Sequence, residues 1–221
     1  MIFDTKRHPR TASLLEGAVH RLSQADPVLQ DLIPRIGPCE LAMTRRGPYF
    51  PALVQAIIYQ QLTAKAAARI LERFRALFPS RRFPTAEQIA RTPAERLRSA
   101  GLSPQKISYL KDLARCVGDG SFPLRRLSAM DDAEVIRRLT EIKGIGPWTA
   151  EMFLIFTLGR PDVLPVTDLG IRKAVQRLYG FKTLPAPRTL AQLGRRWEPY
   201  RSVAAWYLWA SVDGKNSQSP E

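Results

Sequence analysis

Between residues 85 and 132 the chain repeats one signal: a side chain able to cap a helix, followed by proline, an acid or an amide in the first turn. Thr85 precedes Gln88 at capping-box spacing. Thr92-Pro93-Ala94-Glu95 joins a cap to a first-turn proline and a glutamate, Ser103 stands directly before Pro104, and Asp131-Asp132 opens EVIRRLTEI. Such residues satisfy the N–H groups that a helix start leaves without intrahelical partners. Between these starts, apolar residues recur three and four apart, as at Leu53, Ile57 and Ile58, then Ile70, Phe74, Leu77 and Phe78. That is the period of a helix with one buried face. The spacing predicts an all-α protein of about ten helices joined by short loops marked by proline and glycine.

The length, 221 residues, suits one large domain or two small lobes, and 45% hydrophobic residues supply a core. Lysine and arginine number 34 against 20 acidic residues, a formal charge of +14. This surplus favours a polyanionic partner, nucleic acid before an anionic membrane surface. Arginine outnumbers lysine, which suits bidentate phosphate contacts, although a GC-rich coding sequence gives the same bias. The arginine pairs at 45–46, 81–82, 125–126, 137–138 and 195–196 are candidates for tracking phosphates or are simply solvated helix faces. Cys39 and Cys116 lack ligand spacing and read as ordinary thiols, so neither a zinc site nor a cysteine-ligated cluster can be built from them. His8 and His20 show no evident partners. No apolar run reaches membrane-spanning length, and MIFDTKRHPR has no signal-peptide core, so an intracellular, cytoplasmic or nucleoid-associated protein is expected. The polar tail 213–221 is expected to fray.

One stretch conflicts with the helical pattern. In LTEIKGIGPWTAEMF (139–153), Gly144 and Gly146 interrupt two helical segments, although glycine lowers helix stability by about 1 kcal/mol per residue. Glycine supplies positive φ for a tight reversal, and its missing side chain lets main-chain N–H groups approach another backbone. Pro147 fits the first turn of the next helix, whose N-terminus carries partial positive charge suited to a phosphate. Lys143 adds charge beside it. The alternative is a plain helix–helix turn; a Walker-type loop is excluded because no Gly-Lys-Ser/Thr follows. AGLSPQKISYL (100–110) loosely echoes this stretch.

VLPVTDLGIRKAVQRL (163–178) comes next. A helix over 147–158 climbs roughly 18 Å at ~1.5 Å per residue. An extended return through GRPDVLPVT spans up to about 30 Å, so Asp168 can come back beside the hairpin at the start of another helix. An aspartate there is most often a cap. Trp206 and Trp209, three apart in SVAAWYLWAS, share a helix face and by themselves suit a core as well as a pocket.

Together, KGIGPWTA, VLPVTDLGIRKA, RWEPYRSVAAWYLW and FPALVQAIIYQQLTAKAAARI resemble the helix–hairpin–helix DNA glycosylases, and within them the 3-methyladenine DNA glycosylase II group. The resemblance covers roughly residues 50–211. It implies a two-lobed all-α architecture without an N-terminal β-sheet domain. One lobe spans 48–164 and carries the hairpin; the other joins 1–47 to 165–221, with an active-site cleft between them. It further implies a monomer acting on double-stranded DNA with damaged bases, without redox cofactor, metal centre or membrane.

Asp168 matches the family's catalytic aspartate. Lys143, Gly144, Ile145, Gly146 and Thr149 belong to the hairpin that grips a phosphate through main-chain amides, and a monovalent cation is possible at the hairpin carbonyls. Trp148 stands where lyase relatives have a Schiff-base lysine, which implies a monofunctional enzyme using water. Trp209 matches a base-pocket aromatic. Gln61 or Leu62 is the wedge inserted into the duplex, unless QQLT is merely a helix boundary with a solvated glutamine. Thr167 stands where many relatives have a second acid, and Met152 and Leu169 replace pocket tyrosines, which bears on substrate breadth.

The implied chemistry suits these residues. Cleaving an N-glycosidic bond develops positive charge on the sugar, which a fixed carboxylate stabilises. Ordinary glycosides need a second carboxyl group to protonate the leaving group, but a base alkylated at N3 or N7 is already cationic. Glu151 is the nearest second acid in sequence and reads as a solvated helix residue. The expected function is therefore excision of alkylated purines such as 3-methyladenine and 7-methylguanine. The alternatives are another lesion (uracil, a deaminated or mismatched base) or a non-catalytic binding module.

Overall fold

The structure, a computed structural model, describes residues 9–43, 47–79 and 82–212. Asp26, Thr63, Thr85, Ser103, Asp131 and Asp168 each accept a backbone N–H from the helix they precede. Thr85 and Gln88 form the reciprocal capping box. Thr92 departs from the expectation. Its hydroxyl donates back to the Gln88 carbonyl at 2.7 Å, closing the helix before it instead of opening the next, which starts after Pro93. Threonine hydroxyls compete for the carbonyl one turn back, and two helices this close leave Thr92 to serve only one.

Twelve α-helices and no strand occur among the described residues, as expected for an all-α chain. The chain divides into two compact units. The first, 47–153, contains α3 (Tyr49–Tyr59), α4 (Ala64–Ala76), α5 (Ala86–Arg91), α6 (Ala94–Ser99), α7 (Pro104–Gly118), α8 (Asp132–Thr140) and α9 (Pro147–Phe153). In this unit α3 buries Leu53, Val54, Ile57 and Ile58 completely, each contributing about 1.5–3 kcal/mol relative to exposure. Phe74 of α4 packs edge-on to Phe78, with ring centroids 5.4 Å apart.

The second unit joins α1 (Pro9–Ala25) and α2 (Pro27–Ile36) to α10 (Leu169–Leu178), α11 (Pro187–Gly194) and α12 (Arg201–Val212). Its apolar core, with Leu29, Ile171, Val175 and Leu208 fully buried, encloses one charge. The carboxylate of Asp26 is fully buried, caps α2, and accepts the Tyr179 hydroxyl at 2.7 Å and the Trp197 indole N–H at 2.8 Å.

The boundary falls at Phe153, not at 164. Segment 154–164 joins the second unit because α12 holds it. Ser202 donates to the Arg160 carbonyl at 2.7 Å and accepts the Val163 N–H at 3.0 Å, while Arg201 clamps Asp162 at 2.8 Å. The expected single helix 147–158 is likewise two pieces. The α-helix ends at Phe153 and Leu154–Leu158 forms a π-turn, closed at Gly159 with φ +68°.

Candidate active site

The hairpin belongs to the first unit. After α8, the Ile142 N–H returns to the Leu139 carbonyl and the Ile145 N–H to the Ile142 carbonyl at 3.0 Å, which draws the chain into a tight turn. Ile145 is buried and anchors that turn. Asp112 of α7 accepts the Lys143 N–H at 2.9 Å. Partial burial pushes the Asp112 carboxyl upward, but the Lys143 amide and the Arg115 guanidinium outweigh it and hold the group below its ordinary value.

The two glycines do different things. Gly144 has φ +83°, and a Cβ there would lie 2.1 Å from the Tyr109 ring. The fold itself requires that glycine. Gly146 has no positive φ, and a Cβ would meet nothing within 4 Å. Among the described residues its N–H has no acceptor, while those of Lys143 and Ile145 are engaged internally. Thr149, in the first turn of α9, is buried at 7% exposed. Trp148 beside it is 44% exposed, and Met152 is half-buried.

At the end of α3, Gln61 has φ +55°, the one non-glycine residue with positive φ among the described residues. Gln61 and Leu62 are both exposed.

In the second unit, Asp168 caps α10. Its Oδ1 accepts the Ile171 N–H at 2.8 Å and the Trp209 indole N–H at 2.9 Å. Phe156, carried on the π-turn, lies against Trp209 with ring centroids 5.8 Å apart. Such π-turns recur at functional sites, and here the extra residue accompanies the ring that backs the indole. Trp209 is therefore neither plain core nor simply a pocket wall; it holds the carboxylate. Trp206 meets Tyr207 edge-on instead. Leu169, directly after Asp168, is 52% exposed.

Gly170 was not foreseen. A Cβ there would stand 3.1 Å from Asp168 Oδ1 and 3.3 Å from Trp209 Cδ1, so its bareness lets carboxylate and indole meet. The available signal was a glycine in the first turn of a helix, where it lowers stability.

Other expectations sort themselves similarly. Glu151 is half-buried rather than solvated, with Oε2 shielded from water. Arg137 and Arg138 are ion-paired to Glu134 and Glu141 along α8. Arg196 stands 3.7 Å from buried Asp26, whereas Arg125 and Arg126 are exposed. His20 meets Gln24 at 3.1 Å. Neither Cys39 nor Cys116 is in a disulfide. His8, Arg45, Arg46, Arg81 and the tail 213–221 lie outside the described residues. Among the described residues no cluster of three acidic, histidine or cysteine side chains could hold a metal, and no helix is long and apolar enough to cross a membrane.

Residues 54–199 match the family described as HhH-GPD superfamily base excision DNA repair protein. The chain belongs to that family. Among HhH-GPD proteins it is 37% identical over 200 residues to DNA-3-methyladenine glycosylase 1 of Schizosaccharomyces pombe, covering 89% of this chain and 87% of the relative. The solved structure of a 3-methyladenine DNA glycosylase from S. pombe in complex with abasic DNA superposes with TM-score 0.82 at 34% identity, covering 92% of this chain and all of that one. A DNA-3-methyladenine glycosidase from Bacillus halodurans gives TM-score 0.78 at 35% identity, with 96% and 94% covered. The HhH-GPD assignment fits the hairpin with Gly144 and Gly146 and the capped Asp168.

Proposed function

We propose that the chain is a monofunctional DNA glycosylase that hydrolyses the N-glycosidic bond of alkylated purines in duplex DNA and leaves an abasic site. The observation carrying this reading is Asp168, whose carboxylate is fixed by the Trp209 indole and the α10 N-terminus. A carboxylate held in place before reaction stabilises developing positive charge on the sugar without reorganising. It also orients a water toward the carbon the base leaves. A cationic 3-methyladenine or 7-methylguanine departs without a proton, so one carboxylate suffices. Relatives named for 3-methyladenine favour this lesion class over uracil or a mismatched base.

Trp148 in place of a lysine supports hydrolysis over Schiff-base chemistry. Its exposed ring is proposed to meet the flipped base, where an aromatic face attracts a cationic purine by about 1–2 kcal/mol. The hairpin takes a phosphate through the Gly146 N–H, with Lys143 and the Thr149 main chain beside it, and Gln61 or Leu62 fills the gap left by the flipped base. The enzyme acts as a monomer. The carbonyls of Ile142, Gly144 and Gly146 each already accept one hydrogen bond, so a monovalent cation there would use second lone pairs.

The test is release of free 3-methyladenine and 7-methylguanine from methylated duplex DNA by wild type and Asp168→Asn. Asparagine keeps an oxygen for the cap and for Trp209 but removes the charge. The expected result is a loss of about 10²–10³-fold in rate with DNA affinity retained. Undiminished release by the variant would remove Asp168 from the chemistry, and no release by wild type would redirect the search to other lesions.

A further inference from the structure

The Gln61–Leu62 loop is not a loose connection. Immediately before it, Gln60 sends its side-chain Nε2 to the Gly144 carbonyl at 2.9 Å, across 84 residues of sequence. From the other side, Lys106 Nζ donates to the carbonyls of Ile58 at 2.7 Å and Gln60 at 2.8 Å. Those carbonyls end α3, where a helix leaves acceptors unsatisfied and where a cation is favoured. Lys106 sits in the first turn of α7, two residues after Gly101-Leu102-Ser103-Pro104. That turn echoes Gly144-Ile145-Gly146-Pro147 with serine in place of the second glycine, and φ is +95° at Gly101 and +83° at Gly144. The end of α3 is therefore tied to both glycine turns of the first unit, to one through Gln60 and to the other through Lys106.

We infer that Gln60 and Lys106 are positioning residues that latch the Gln61–Leu62 wedge to the phosphate-gripping hairpin, so that seating the phosphate fixes where the wedge enters the duplex. The inference rests on the wedge role proposed above. Its physical basis is the strained residue between the latches. Gln61 adopts φ +55°, a backbone conformation that an L-residue with a side chain rarely adopts. Such conformations persist where surrounding contacts over-determine them. Gln60 supplies two such contacts, one through its side chain and one through its carbonyl. A wedge that must displace a stacked base gains from being ordered beforehand, because any freedom left would be lost on insertion. Burial lowers the Lys106 pKa, against the stabilising effect of the carbonyls on the ammonium.

The test uses Gln60→Glu, which keeps the shape but turns the donor into an acceptor facing the Gly144 carbonyl, and Lys106→Met, which keeps the stem and removes the donors. Single-turnover release of 7-methylguanine is compared on two DNAs: a fully paired duplex, and one carrying the lesion in an unpaired bulge that needs no wedge. Both variants are expected to lose about tenfold or more on the duplex while staying near wild type on the bulge. Equal losses on both DNAs, or no loss on the duplex, would overturn the latch. Should Lys106→Met fold poorly, Gln60→Glu decides alone. A second readout is independent of catalysis: 2-aminopurine placed opposite an abasic-site analogue should brighten on binding wild type and not Gln60→Glu at matched occupancy. If wild type releases no base from either DNA, the proposed function fails, and the 2-aminopurine contrast alone then upholds the latch or sinks it.

Discussion

Asp168 Oδ1 accepts two hydrogen bonds, from Ile171 and Trp209, while the bare Cα of Gly170 makes room for them. Single atoms likewise separate the two hairpin glycines. Gly144→Ala would drive a methyl into the Tyr109 ring at a positive φ, and is expected to destabilise the protein by about 2 kcal/mol or more. Gly146→Ala meets no protein atom and should change stability by less than about 0.5 kcal/mol. Yet it should weaken duplex binding about tenfold, because the methyl stands where a phosphate must approach. Thermal melts and a binding titration on the two variants check this, and the reverse pattern would mean that the fold, not DNA, demands Gly146. The Gly144 turn and the Asp168 cap were legible in the sequence because each is a local signal. Gly170, Gln60 and Lys106 were not, since each acts on a partner brought near only by folding. Thr92 was misread because its Thr-Pro-x-Glu neighbourhood satisfies the rules for starting a helix, while its hydroxyl had a nearer carbonyl to bond.

At the scale of elements, α2, α10 and the Trp197 turn converge on one buried carboxylate. Asp26 caps α2 and receives Tyr179 and Trp197, so each element depends on the same charge. Removing it leaves four donors, the Val28 and Leu29 N–H groups, the Tyr179 hydroxyl and the Trp197 indole, without their acceptor, and Asp26→Ala is expected to cost about 3–5 kcal/mol. Tyr179 makes the network sensitive to alkali. Burial, then the Asp26 carboxylate, raises its phenol well above the ordinary value. A group raised in the folded state contributes stability that is present below its unfolded pKa and declines as pH rises beyond it. Stability should therefore fall above about pH 10. Tyr179→Phe should flatten that decline while lowering neutral-pH stability by about 1 kcal/mol, as denaturant titrations at pH 7 and 10.5 would report. Helix starts here were readable because caps act locally. The division at Phe153 was not, because it follows from the grip of α12 on residues 160–163, a contact between residues some forty apart in sequence.

For the molecule as a whole, a charge of +14 implies an affinity for DNA that falls steeply with salt. The charge is not all available. Arg137 and Arg138 are held by Glu134 and Glu141 on α8, and hydrogen bonds from both arginines draw the Glu134 carboxyl down to about 2, against a smaller opposing effect of burial. Glu134 therefore stays ionised throughout the range in which the protein would work. Replacing both arginines with alanine should leave the slope of log affinity against log salt within about 0.9, the contribution of one phosphate. A change near twice that would mean the pair abandons its glutamates for DNA. Composition alone could not make this distinction, since it counts a compensated arginine like an exposed one. Compensation also has a consequence for Asp168. An asparagine in its place retains the cap and the indole contact, so the altered chain should fold, persist and pass cellular quality control as the active one does. Such a chain would still settle on lesions it cannot remove. In a cell carrying both forms, the inert copies would shield damaged bases from the active ones, and the loss would behave as dominant rather than recessive.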